Sequence, residues 1–246
     1  MRQIIPHLDT LAMPWQWSQP SGPGGGGIAT KVLNADAAFD ARTVLLRAAP
    51  RAVNAQTRRK AHFHRGGEEF LSLGPPFSFD DGLWNPRLAY AYLPPGTVHG
   101  RDVQVPDGYL LYLRTWGSAQ PLFLTEHAAP AAPAGTPVKL TNPLSSAWRT
   151  VCVLNHDPAT GERALMIRLP AGFDGAVPAG DASQYEILTL EGRWRHGVDV
   201  HRAGAYACLP GQPDRPGGGA PTARVEREAL LLVHALPHRG NGSDMR

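Results

Sequence analysis

The stretch AHFHRGGEEFLSLG (residues 61–74) carries two histidines separated by one residue, a Gly-Gly pair and then a glutamate, and PPGTVHG (residues 94–100) adds a third histidine. His62, His64, Glu68 and His99 are all donors for a first-row metal ion, imidazole suiting zinc, iron, copper or nickel and carboxylate adding charge. Their spacing reads as β-structure. Side chains on a strand alternate faces, so His62 and His64 point the same way, and a turn at Gly66-Gly67 returns Glu68 toward them. His99 then arrives from a different strand. Taken singly, a histidine or glutamate is more often a solvated or hydrogen-bonded surface residue. His-x-His-x3-Glu followed by Pro-x-Gly-x2-His, with strand-type residues between, is a two-part pattern that points to one metal site.

The two segments resemble the paired signature motifs of the cupin superfamily, in which two histidines and a glutamate come from the first motif and a third histidine from the second. The wording HFHRGGEEFLSLG and PPGTVHG is most similar to ChrR-type cupins, a group that includes proteins resembling acetylacetone dioxygenase. The resemblance implies that Glu68 rather than Glu69 is the carboxylate ligand, Glu69 facing the other way. The chain departs from the family pattern at Gln56 and Leu88, where glycines are expected, and at Val103, where an asparagine is expected. These departures bear on loop geometry. The implied fold is all-β: two tandem double-stranded β-helix (jelly-roll) barrels in one chain, a bicupin.

With 246 residues and 42% apolar side chains, the chain can bury a substantial core. Its 27 glycines and 24 prolines, together about a fifth of the chain, favour short strands joined by many turns. Strand signals recur as TVLLRA, EEFLSL, LAYAYL and YLLYLRTW, then RTVCVL, ALMIRL, YEILTL, AYACLP and ALLLVHAL. A formal charge of +3 is too small to mark a nucleic-acid binder. The one basic cluster, Arg58-Arg59-Lys60, reads as a solvated strand start. Cys152 and Cys208 lie in apolar runs and read as inert buried thiols. SQPSGPGGGG (18–27) lacks the Lys-Ser/Thr and helix start of a phosphate loop and reads as a flexible loop. The tail PHRGNGSDMR reads as disordered. With no charged leader and no run of about eighteen apolar residues, no membrane partner is expected, and the expected location is cytoplasmic.

The chain is written twice. VLNADAAFDARTVLLR (32–47) aligns without gaps on VLNHDPATGERALMIR (153–168), EEFLSLG (68–74) on YEILTLEG (185–192), and LPPGTVH (93–99) on CLPGQPD (208–214). Between the copies, HAAPAAPAGTPV (127–138) reads as an extended connector. The expected organisation is an amino-terminal barrel with the metal site (1–127), an Ala/Pro linker (128–138) and a carboxy-terminal barrel (139–246). Projection places Ala179 at His62, Asp181 at His64, Tyr185 at Glu68 and Asp214 at His99; a slip of one residue would substitute Glu186 for Tyr185. No imidazole falls at these positions, so the second barrel is expected to bind no metal and to cover the first.

Three imidazoles and one carboxylate leave open positions on a five- or six-coordinate ion, the mark of a catalytic rather than a structural site. The expected cofactor is one divalent transition metal ion, Fe(II) first, with Zn, Ni, Mn or Co able to use the same donors. The resemblance to acetylacetone dioxygenase implies an oxygenase cleaving a small enolisable carbonyl compound such as a β-diketone, its partners being that substrate and O2. Those enzymes use three histidines, so Glu68 is an added ligand or a base. Tyr90 with Tyr92, Tyr112 with Arg114 and Trp116, and Phe70 and Ser72 with Glu68 form three same-face groups, any of which can line the pocket or the core. Arg114, if inward, would orient a carboxylate or enolate, and it stands with Glu68 as a candidate catalytic residue. A metal-bound sensor and a non-oxidative isomerase or hydrolase are the alternatives; an anti-sigma role is not carried over, because residues 1–50 contain no cysteine. The assembly is expected to be a monomer or a homodimer.

Overall fold

The computed structural model of the chain describes residues 2–18, 27–50, 61–80, 82–118, 120–124, 139–143, 150–158, 160–211 and 219–237. Most of the glycine-rich stretch, Gln56, Arg58-Arg59-Lys60, the whole Ala/Pro connector, Asp214 and the tail after Pro237 lie outside the described residues. The rest forms two compact units, Pro14–Ser146 and Arg2–Met13 together with Ala147–Arg246. No helix among the described residues is long and apolar enough to cross a membrane.

Strand β1 (Ile5–Asp9) belongs to the second unit, and β2 (Gln16–Ser18), β3 (Ile28–Asp36) and β4 (Ala41–Ala48) open the first. The first continues through β5 (His62–Phe63), β6 (Gly67–Ser72), β7 (Phe77–Asp80), β8 (Leu83–Asn85), β9 (Tyr90–Leu93), β10 (Tyr109–Trp116), β11 (Leu122–Phe123) and β12 (Lys139–Thr141). Val, Thr, Tyr and Phe recur in these segments because β-branched and aromatic side chains fit a pleated, half-buried surface. Seven strands make one antiparallel sheet in the order β12-β9-β6-β10-β4-β3-β2, with β11-β5 and β7-β8 as separate ribbons.

The second unit comprises β13 (Val151–His156), β14 (Arg163–Leu169), β15 (Asp174–Ala176), β16 (Gln184–His196), β17 (Asp199–Arg202), β18 (Ala205–Pro210) and β19 (Thr222–Leu236). Its sheet runs β1-β18-β16-β19-β14-β13, with β15 on β19 and β17 on β16. The core orders β9-β6-β10-β4-β3 and β18-β16-β19-β14-β13 correspond strand for strand, as the repeated sequence requires.

The outer strands correct the expected boundaries. β1 pairs with β18 of the second unit although it lies within 1–127, and β12 pairs with β9 of the first although it lies within 139–246. Both take the same place, beside β9 or its counterpart β18. That edge presents unpaired backbone groups, and a strand from outside the repeat covers it. Neither IPHLD nor KLT carries the repeated pattern, so alignment of the copies cannot assign them.

In the second unit Leu165, Ile167, Tyr185, Trp194, Leu231 and Val233 pack in one buried apolar cluster. In the first, Phe70, Phe77, Phe79, Leu93 and Leu111 pack together but leave a cavity of about 390 Å³.

Candidate metal centre

Backbone pairing brings the two motifs together. His62 and His99 exchange both backbone hydrogen bonds at 2.9 Å, and the Gly96 amide donates to the His64 carbonyl at 2.8 Å. Pro94-Pro95-Gly96-Thr97 closes as a turn in which the Thr97 amide donates to the Pro94 carbonyl at 3.1 Å. Gly96 has φ +78, the conformation that the third position of a type II turn demands. Gly67 is required for a different reason: a Cβ there would stand 2.2 Å from the Trp116 ring. The Gly-Gly pair therefore returns the chain to Glu68 by passing close under Trp116.

The ring centroids of His62, His64 and His99 are 4.4, 5.1 and 5.3 Å apart pairwise, and one ligating nitrogen from each falls within 4.8 Å of the others. Glu68 joins them, with Oε2 3.5 Å from His64 Nε2 and Oε1 3.5 Å from His99 Nε2. His99 Nδ1 lies 3.0 Å from the Thr97 carbonyl, which accepts its proton and so assigns Nε2 as the ligating atom. Three imidazoles and a carboxylate converging in this way fit a divalent transition ion with positions left open for exogenous ligands. His62, His64, Glu68 and His99 all line the cavity.

Cross-strand register separates two faces. Glu68, Phe70, Leu111, Leu113 and Thr115 line the cavity. Glu69, Tyr90, Tyr92, Tyr112, Arg114 and Trp116 share the opposite face, since Glu69 stands opposite both Arg114 and Tyr92 and Leu71 opposite both Tyr112 and Tyr90. Arg114, expected as a candidate catalytic group, is therefore corrected to a packing role. It is buried and donates to Glu69, which also accepts from the Tyr90 hydroxyl. Burial first, then the neighbouring Glu69 charge, raises the Tyr90 pKa well above the usual phenol value and keeps the hydroxyl a donor.

The second unit repeats this arrangement with one exchange. Glu186 is buried, accepting from the Tyr206 hydroxyl and from Arg2 Nη1 at 3.1 Å. The place of Arg114 beside the glutamate is taken by His234, so the guanidinium comes from the segment before β1. Glu186 is thus the counterpart of Glu69, and the one-residue slip that would have set it at the Glu68 position does not occur. Ala179 and Tyr185, at the projected places of His62 and Glu68, belong to the buried apolar cluster. Asp181 accepts from the Gly219 amide at 2.9 Å. Among the described residues, the His62–His64–His99 group alone gathers three metal donors.

Sequence reasoning missed much of the cavity wall: Phe77 and Phe79 on β7, and Arg42, Val44 and Leu46 on β4. The signal was alternation within ARTVLLR, which places Arg42, Val44 and Leu46 on one face. Leu88, where the family pattern expects glycine, keeps the glycine-like conformation at φ +66 while its side chain is buried. Val103, in place of the expected asparagine, lines the cavity as an apolar residue.

No protein-family model and no curated protein matches the chain. Among solved structures, a provisionally named dioxygenase from Nostoc punctiforme has a TM-score of 0.72 at 12% identity, over 98% of this chain and 85% of that one. A provisionally named glyoxylate-induced protein from Pseudomonas aeruginosa gives 0.60 at 12%, over 89% and 83%. An oxalate decarboxylase from Bacillus subtilis, studied for its Mn(II) centres, gives 0.53 at 11%, over 96% and 78%. The likeness is one of fold, and the chain has the cupin β-fold.

Proposed function

We propose that the chain is a metal-dependent cupin oxygenase, Fe(II) being the favoured ion, that acts on a small enolisable carbonyl compound such as a β-diketone. The observation that carries this reading is the convergence of His62, His64 and His99, with Glu68 3.5 Å from the last two, on one wall of an otherwise mainly apolar cavity. A volume of about 390 Å³ suits a small molecule. In this reading the chain is a bicupin of two tandem barrels, its motifs resembling ChrR-type and acetylacetone-dioxygenase-like proteins, and it works as a cytoplasmic monomer or homodimer.

A divalent ion held there supplies Lewis-acid polarisation of a carbonyl and, when it is iron, redox chemistry with O2. The residues supply the rest. Phe70, Phe77, Leu111 and Leu113 exclude water and keep the local dielectric low, which strengthens every charge interaction at the donor wall. The Thr97 carbonyl fixes the His99 tautomer. Glu68 sets an anionic oxygen near two imidazole edges, where it offsets cationic charge and accepts the proton lost when the substrate enolises. No catalytic role is proposed for Arg114.

Oxygen-electrode measurements on protein reconstituted with Fe(II) test the reading. Uptake is expected with one or more β-diketones and is lost in His62→Ala. Silence across diverse enolisable carbonyls would turn the assignment toward a non-oxidative isomerase or a binding protein.

A further inference from the structure

Arg42 stands in a row with the proposed metal ligands. Thr115 on β10 is opposite Arg42 on β4 and opposite Glu68 on β6, so the three side chains lie at one level on the cavity face. Two strand spacings separate Arg42 from Glu68, about 10 Å along the hydrogen-bonding direction. Among the described residues lining the cavity, Arg42 and Glu68 are the only Arg, Lys, Asp or Glu.

The cross-strand neighbours of Arg42 are Thr115 and Ala35, neither of which can balance its charge. No hydrogen bond or ion pair joins its side chain to another described residue. Several other arginines are paired, Arg114 with Glu69, Arg2 with Glu186, Arg193 and Arg195 with Glu226, and Arg224 with Asp174. The repeat shows what this position does when no ligand is to be held. The counterpart of Arg42 is Arg163, likewise one strand away from Ala235 and two from Tyr185, the counterpart of Glu68. Arg163 Nη2 donates to the Asp181 carbonyl at 2.7 Å, at the place corresponding to His64. In the first unit the guanidinium is instead left at an exposed edge of an open cavity.

We propose that Arg42 is the anion-binding residue of this cavity and that the substrate is a carboxylate with an apolar body, its carbonyl end directed to the donor wall. The inference rests on the assignment of the metal centre above. A guanidinium offers a planar, two-pronged fit to a carboxylate that an ammonium does not, so lysine substitutes poorly. The apolar walls accommodate the body of the molecule, and Thr115 adds a hydroxyl between the charged ends of the row.

Calorimetric binding of 4-phenylbutanoate and its neutral amide to protein loaded with redox-inert Ni(II) provides the test. The wild type should bind the carboxylate about tenfold more tightly than the amide. Arg42→Ala should abolish that preference with amide affinity and metal content unchanged, and Arg42→Lys should restore only part of it. Equal binding of both compounds by the wild type, failure of both to bind, or a preference that survives Arg42→Ala would overturn the proposal. Oxygen uptake is scored separately: a protein that keeps the Arg42-dependent preference but consumes no O2 with any carbonyl fails as an oxygenase and retains its anion site.

Discussion

His62 and His99 face each other across a two-hydrogen-bond bridge, each amide donating to the other's carbonyl at 2.9 Å. Two candidate ligands from separate motifs are thereby tied together through the main chain, and their rings stand 4.4 Å apart between centroids. A ligand set held in advance loses less freedom when a metal enters, so binding energy goes into affinity.

Replacing His99 by Ala should remove most of the bound metal, measured by elemental analysis. Saturating metal at a hundredfold excess over Kd should stabilise the wild type by about 2.7 kcal/mol, an increment that chelation or His99→Ala removes. Asp181→Ala should leave metal content unchanged. Equal loss of metal from the Asp181 variant would overturn the assignment of a metal-free second unit.

Arg114 and Arg2 each neutralise a buried glutamate that also accepts from a buried tyrosine. Removing one partner leaves a buried charge uncompensated, so Arg114→Ala and Arg2→Ala should each cost about 3–5 kcal/mol in urea unfolding. Both should keep metal stoichiometry in the folded protein. Loss of metal from a well-folded Arg114→Ala protein would place that side chain at the cavity after all.

His201 is fully buried, stacks on Trp194 at 4.2 Å between centroids, and has its Nδ1 3.4 Å from His7 Nδ1. Burial first, then the charge of His7, lowers its pKa to about 4, with Asp199 opposing and His196 adding to the shift. The unfolded chain then binds the extra proton between the unfolded value near 6.5 and about 4. This contribution is fully present above pH 6.5 and is lost as pH falls through that window, by up to about 3 kcal/mol. Urea midpoints measured across pH 4 to 7 should show the slope, and His201→Phe should flatten it.

Leu88 opposes two terms in one residue, a left-handed backbone at φ +66 and a side chain 1% exposed. Leu88→Gly relieves strain on the order of 1–2 kcal/mol but empties a core site worth about 2–5 kcal/mol. A net loss of about 1–3 kcal/mol by thermal or urea denaturation is expected. A stabilised variant would show that the side chain contributes little to packing.

Much of the candidate site was legible before any coordinates. The ligand types, the same-face placement of His62 and His64, and the separation of Glu68 from Glu69 all follow from residue chemistry and a period of two. The duplication was equally plain, because VLN and the arginine-bearing strand recur in phase. Arg114 shows where that reasoning stops: alternation groups it with Tyr112 and Trp116 but does not say which side of the strand is hollow. Glu186 shows a second limit, since its role depends on Tyr206 and on Arg2, which comes from the other end of the chain.

Local chemistry alone determined that this protein is built of strands, that it repeats itself, and that one copy carries an imidazole-rich donor set the other lacks. Tertiary structure alone decided that β1 and β12 each complete the sheet of the other copy's half of the chain, that Arg42 rather than Arg114 looks into the cavity, and that Ala179 and Tyr185, at the projected ligand places, are buried in an apolar cluster. The reason is physical. Strand periodicity is a relative property within one segment, whereas inside and outside, edge and centre, are defined only when hydrogen-bonded neighbours distant in the chain take their register.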